Sequence, residues 1–268
     1  MKIRIALVQY RINDKKPKEN ILIIEDYVRK ATGKADIIIF PEYSISGGLP
    51  IEEGIDTNGD YLKEFIRMAS KYNIDIIPGT IIEESEGLRN TAYYISSKGV
   101  VLGRYEKKNL WKTEKEKIIP GNNIVVFQTD YGIVGMSICW DLMDSTIYHN
   151  MALQGARIVY CPSLWYKGTM MNIHSNNMDA QKMHVNSLCQ ARAVENGIII
   201  AYSNGVGRAR IGESHDYCIG QSQITMPVLG RIAYMDGDEG MIISDIDTTI
   251  IDEARNAYGE LPINKMDK

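Results

Sequence analysis

Residues 35–42 read ADIIIFPE. Three isoleucines and a phenylalanine in succession leave no polar face, so the run is predicted as a strand buried on both faces. It stops at Pro41 and Glu42, which places that pair at the rim of the sheet. Upstream, KIRIALVQ (2–9) is β-branched enough for a strand. Residues 17–32 open at Pro17 and set Ile21, Ile24, Val28 and Ala31 at helical spacing, with Gly33 as the stop.

Downstream, a helix is expected over 60–72 with Asp60 as its N-cap. The period then changes to two. IDIIPGTIIEE, LRNTAYYIS and VVLGRYE are strand-like, and the SSKG turn signal between the last two makes a meander. IVVFQ and IVGMSI flank Asp130-Tyr131-Gly132, followed by a helix near 145–155 and a buried strand at RIVYC. A long helix near 176–196, a strand at GIIIAYS and short strands at 217–225, 230–235 and 241–246 complete the chain. Strand-helix units alternating with meanders favour two mixed β-sheets packed face to face with helices outside, an αββα four-layer sandwich. The 268 residues fit one such unit, residues 1–268, because α/β domains reach this size undivided.

Hydrophobic residues at 44% and charged residues at 24% exclude disordered, collagen-like and membrane compositions. Net charge is -4 and the lysines and arginines are interspersed with acids, so nucleic acid is not an expected partner. The N-terminal apolar run is too short and too polar for a signal peptide, and no stretch approaches the roughly 20 apolar residues a bilayer needs. No membrane is expected. Cys139, Cys161, Cys189 and Cys218 form neither a CxxC pair nor a dense disulfide framework, which points to a reduced, cytoplasmic setting.

Three reactive side chains fall just past the ends of strand-like runs: Glu42 after DIIIF, Lys107 after VVLGRYE, and Cys139 after GIVGMSI. Taken singly, each has a bland reading as core thiol, loop acid or surface lysine. Together they supply a nucleophile, a proton carrier and a cation for a developing oxyanion, which is what attack on an amide-type carbon requires. A neighbouring base and an ammonium are expected to ease thiolate formation at Cys139. A carboxylate buried beside an apolar strand end is expected to have its pKa raised. A Cys-His site finds no support, since none of His149, His174, His184 and His215 lies in a local signature with Cys139. No metal site is expected either, as His, Cys, Asp and Glu show no compact ligand spacing.

The segments FPEYSISG (40–47), GRYEKKNLW (103–111) and GMSICWD (135–141) resemble, in order, the Glu, Lys and Cys motifs of the nitrilase superfamily of carbon-nitrogen hydrolases, in its amidase-like branch. QGARIVYCPSLW (154–165), ARAVENGIIIAYSNGVG (191–207) and GQSQITMPVLGRI (220–232) extend the likeness over nearly the whole chain. The resemblance implies an αββα subunit, a Glu-Lys-Cys triad, no metal, no organic cofactor, and assembly into homodimers or larger homo-oligomers. By position, Glu42 becomes the general base and acid, Lys107 the oxyanion cation and Cys139 the nucleophile. Glu114, in the loop before Pro120-Gly121, becomes the second glutamate that positions Lys107, and the Trp140 N–H the other oxyanion donor. Glu106 and Asn109 stand where the family has arginine and histidine, and LMDSTIYH after Asp141 departs from the usual pocket segment. Trp165 and Tyr166 are expected at the substrate. The implied reaction is hydrolysis of a linear amide or N-carbamoyl compound with release of ammonia through a cysteine acyl-enzyme. A nitrile hydrolase and an inactive binding or assembly subunit are the alternatives.

Overall fold

A computed structural model describes residues 1–48, 54–168, 179–211 and 214–257. In chain order the elements begin β1 (Lys2–Gln9), α1 (Pro17–Ala31), β2 (Ile37–Ile39), β3 (Ile55–Asp56), α2 (Asp60–Tyr72), β4 (Asp75–Ile77), β5 (Ile81–Ser85), β6 (Gly87–Ile95) and β7 (Val101–Glu106). They continue β8 (Val126–Thr129), β9 (Gly132–Met136), α3 (Ser145–Leu153), β10 (Ile158–Ser163), α4 (Ala180–Asn196), β11 (Ile199–Asn204) and β12 (Val206–Ile211). The last are β13 (Ser214–Ile219), β14 (Gln223–Met226), β15 (Gly230–Tyr234), β16 (Gly240–Asp247) and α5 (Ile250–Ala257).

The triple isoleucine of β2 lies parallel between β1 and β4, and all three of its residues are fully buried. One sheet runs β16-β1-β2-β4-β6-β5-β3 with β7 also paired to β6; the other runs β15-β14-β11-β10-β9-β8. Alternation along the strands sorts the core into layers. Ile3, Ile5 and Leu7 of β1 pack with Met136, Tyr160 and Ala201 between the two sheets, while Ala6 and Val8 turn outward among Ile24, Val28 and Phe65 of α1 and α2. Val159 and Cys161 of β10 face α3 and α4 through Tyr148, Met151, Cys189 and Ala193. The architecture is the αββα sandwich. No described helix is long and apolar enough to cross a membrane.

Four local expectations are corrected. In α1 the buried stripe is Asn20, Ile24, Val28 and Ala31, with Ile21 only half-buried. Asn20 belongs inside because its amide bridges Asn13 and the Ile45 carbonyl. Helix α2 is capped not by Asp60 but by Asp56, whose carboxylate accepts from the N–H groups of Asp60, Tyr61 and Leu62. Those are orphan donors of a first turn, and a carboxylate there also meets the positive end of the helix dipole. The stretch 217–225 divides at Gly220 into the end of β13 and the start of β14, which belong to different sheets. β12 and α5 were not anticipated. The long helix starts at Ala180, and residues 176–178 of its expected span lie outside the described residues.

Candidate active site

Glu42 leaves the first sheet just beyond β2, on a backbone that needs a close neighbour. Gly79 adopts φ +85°, and a Cβ there would stand 1.8 Å from the Pro41 carbonyl oxygen. Only glycine permits that approach. Lys107 follows β7 and donates its N–H to the Asn90 carbonyl at 2.9 Å, which continues the β6–β7 pairing by one residue. The chain reverses side at each residue, so Lys107 points inward and is 2% exposed. Lys108 instead borders a separate groove with Leu110, Lys115 and Met143.

The Lys107 Nζ sits 2.8 Å from Glu42 Oε1, 2.8 Å from Glu114 Oε1 and 2.7 Å from Glu114 Oε2. Glu114 is held further by Tyr43 Oη at 2.5 Å and by the Trp111 N–H at 2.7 Å. Glu42 Oε2 accepts from the Leu164 N–H at 3.0 Å, and that same N–H faces the Cys139 sulfur. Asn90 Nδ2 reaches Glu42 Oε1 at 2.8 Å, Tyr43 Oη at 3.1 Å and Glu114 Oε1 at 3.1 Å. Two carboxylates and one ammonium are thus buried together.

Cys139 ends the run after β9 at the start of a 3-10 turn spanning Cys139–Met143, with φ +46°. A non-glycine residue in that region is strained and is held by its surroundings. Asp141 supplies the hold. Its carboxylate accepts from the Ile138 N–H at 2.9 Å, the Asn109 N–H at 2.7 Å and Tyr105 Oη at 2.8 Å. The thiol-bearing turn is thereby tied to the strand and loop that flank Lys107. Asn109, in place of the family's histidine, contributes here through its backbone.

Electrostatics separate the two glutamates. Burial raises the Glu42 carboxyl more than Lys107 offsets, and the Glu114 charge adds to the rise. Burial acts on Glu114 too, but Lys107, Tyr43 and the Trp111 N–H together hold it below the ordinary carboxylate range. Burial disfavours the Lys107 ammonium, yet Glu114 and Glu42 keep it charged and raise its pKa well above the ordinary lysine value. When neighbouring carboxyls are pushed apart in this way, the raised one is the natural proton carrier and the lowered one the fixed charge. For Cys139 the expectation of an eased thiolate is reversed. Burial and the Glu42 charge push the thiol well above its ordinary value, and Lys107 compensates only in part. Its charge is already shared by two carboxylates.

The cavity above these groups holds about 40 Å³. That suffices for a few water-sized groups. All three tryptophans of the chain line it. Trp140 packs on Trp165 with ring centres 5.2 Å apart, and Trp111 on Tyr166 at 5.8 Å. Glu42, Lys107, Glu114, Cys139, Trp140, Trp165 and Tyr166 therefore all meet at this one cavity. Among the described residues no histidine lines it; His174 lies outside them.

Sequence reasoning missed Asn90, the Leu164 N–H, and the ribbon β12–β13 that brings Arg210 and Ile211 to the wall. Asn90 had left a trace, since asparagine is depleted in strands and sits mid-run in LRNTAYYI. The ribbon left little, as Arg208, Arg210, His215 and Asp216 give it a polar surface pattern.

The carbon-nitrogen hydrolase family model matches residues 4–256. The chain belongs to that family, within the nitrilase superfamily. It is 26% identical to N-carbamoylputrescine amidase of Oryza sativa subsp. japonica, covering 96% of this chain and 90% of that protein. It is 27% identical to a human omega-amidase, covering 94% and 91%. An amidase variant of Nesterenkonia sp. AN1, with acrylamide added at its active site cysteine, shares the fold at TM-score 0.77 and 22% identity, covering 96% and 98%.

Proposed function

We propose that the protein is an amidase that hydrolyses a short linear amide or N-carbamoyl compound and releases ammonia through an acyl-enzyme on Cys139. The observation that carries this reading is the Glu42–Lys107–Glu114 cluster beside a buried thiol, with the two carboxyls pushed in opposite directions. Because the thiol is not acidified, proton transfer and attack proceed together. Glu42 takes the Sγ proton as sulfur bonds to the carbonyl carbon, and the carbonyl π pair moves to oxygen. Lys107 Nζ and the Trp140 N–H receive that oxyanion, where preorganised donors are worth most. When the carbon-oxygen double bond re-forms, the carbon-nitrogen bond breaks and the Glu42 proton leaves with ammonia. Glu42 then deprotonates a water that attacks the thioester, and the departing sulfur regains a proton. Glu114 stays ionised throughout and holds Lys107 in place.

The small cavity and its aromatic walls favour a short, flat acyl group. Relatives named as amidases of an N-carbamoyl amine and of omega-amides support the same class. A panel of short amides, ureido acids and nitriles assayed for ammonia release tests the reading. Turnover of amides or ureido compounds is expected; turnover of nitriles alone would replace it with a nitrilase. Subunit pairing belongs to the same proposal and is supported by a surface groove in which exposed Met143 joins Trp140, Trp165 and Leu188. Sedimentation velocity is expected to give a dimer or larger, and a monomer at micromolar concentration would refute it.

A further inference from the structure

Asn90 stands apart from the buried asparagines that serve the scaffold. Asn20 and Asn204 use both ends of their amides: Asn204 Oδ1 accepts from the Trp165 N–H and its Nδ2 donates to the Gly220 carbonyl, and Asn20 bridges two loops in the same manner. Asn90 is 1% exposed, yet its Oδ1 accepts nothing from the described residues. All its side-chain acceptors belong to the site: Glu42 Oε1, Glu114 Oε1 and Tyr43 Oη. Its backbone carbonyl also receives the Lys107 N–H. One residue therefore touches Lys107 through the main chain and both of the lysine's carboxylate partners through the side chain. Leaving a buried carbonyl unpaired costs stability, so a position kept only for its NH2 end is serving something other than the fold.

We infer that Asn90 is a positioning residue for the proposed hydrolysis, whose NH2 group, with Lys107 Nζ, occupies Glu42 Oε1 and so reserves Oε2, on the Cys139 side, as the oxygen that carries the proton. This rests on the amidase reading. Two donors saturate Oε1. Among the described residues Oε2 accepts one N–H, from Leu164, and that N–H also faces the Cys139 sulfur, so Oε2 is the oxygen that shares a donor with the thiol and keeps a lone pair free. Hydrogen bonds to an ionised carboxylate favour the ionised form. Removing the Asn90 donor makes Glu42 harder to ionise, and the pH needed for Glu42 to act as a base rises.

The variant Asn90→Leu keeps shape and removes the donor. Two readouts are compared with wild type across pH: kcat/KM for the best amide of the panel, and the rate at which iodoacetamide alkylates Cys139, which requires no turnover. The acid limb of both is expected to move up by about one pH unit, with kcat down at least about 10-fold and KM within about 3-fold. Unmoved limbs in a folded Asn90→Leu protein would overturn the inference. If Asn90→Leu does not fold, as judged by circular dichroism, the smaller and polar Asn90→Ser carries the same measurement. A shifted alkylation limb in a protein that hydrolyses no amide would uphold Asn90 and refute the amidase reading instead.

Discussion

The floor and the mouth of the cavity are built on different principles. On the floor, Glu42, Lys107, Glu114 and Asn90 are each no more than 2% exposed, and their side chains interlock at 2.5 to 3.1 Å with one another and with Tyr43. At the mouth, Trp111, Trp140, Tyr166, Arg210 and Ile211 are half-buried, and rings pack at 5.2 to 5.8 Å, Trp140 on Trp165 and Trp111 on Tyr166. The floor is carried by the main sheet and a turn packed against it: Glu42 just past β2, Asn90 within β6, Lys107 just past β7 and Glu114 on the 3-10 turn Lys112–Glu116. The mouth is carried partly by a two-stranded ribbon outside both main sheets. Preorganised charge belongs on rigid elements, and shape that selects a substrate can sit on softer ones. Changes to the floor are therefore expected to act on kcat, and changes to the mouth on KM.

The largest effect is expected at the thiol. Cys139→Ser should lower ammonia release by about 1,000-fold or more. Cys161→Ser, Cys189→Ser and Cys218→Ser remove buried thiols elsewhere and should lower Tm while leaving kcat within a few-fold. Full activity in Cys139→Ser would remove the nucleophile from the account. Next comes the lysine. Lys107→Ala should cost at least about 100-fold in kcat, in keeping with the roughly 2.7 to 4 kcal/mol of a single oxyanion donor, whereas Lys108→Ala should stay within a few-fold. The reverse pattern in one assay would move the cation by one residue.

Glu114→Gln probes the split between the glutamates. The Glu114 charge raises Glu42, so neutralising it lowers Glu42, and the acid limb of kcat/KM should move to lower pH while kcat falls about 10-fold. A limb that moves upward would break the assignment of Glu42 as proton carrier. At the mouth, Ile211→Ala should raise KM several-fold with kcat within about 3-fold, the scale of methylene-sized changes in an apolar pocket.

What could be read in the sequence follows the same division. ADIIIFPE and GIVGMSI are apolar runs that stop abruptly and VVLGRYE is a strand-like segment of period two, so both the strands and the residues at their ends were legible, and the motif likeness aligned the same residues. The mouth was not. Arg210 and Ile211 lie on a short polar ribbon that packs closely on Gly48, where a Cβ would stand 2.6 Å from the Arg210 carbonyl oxygen. Nothing local encodes that contact. The thiol's proton affinity was misjudged for a related reason: a lysine in a motif shows its charge but not that two carboxylates already neutralise it.

The smallest expected effect on rate concerns Asp141, which joins the Cys139 turn to the Lys107 strand. Burial pushes its carboxyl up to about 6, despite three donors. A folded-state value above the unfolded one contributes stability that is present at low pH and lost as pH rises through about 6. The Tm deficit of Asp141→Asn relative to wild type should therefore be greatest near pH 4 and shrink by pH 7, by the equivalent of about 3 kcal/mol. A deficit that instead grows with pH would show that the ionised carboxylate is the form the fold prefers.

The central claim is that a carbon-nitrogen bond is broken by way of a covalent bond to Cys139. Rapid mixing with a short-chain amide, acid quench within the first turnover and peptide mass mapping test it directly. The account predicts a transient mass gain equal to the acyl group, located on the peptide that carries Cys139 and absent in Cys139→Ala. Ammonia release with no protein-bound acyl group on that timescale, or an acyl group on any other side chain, would contradict it.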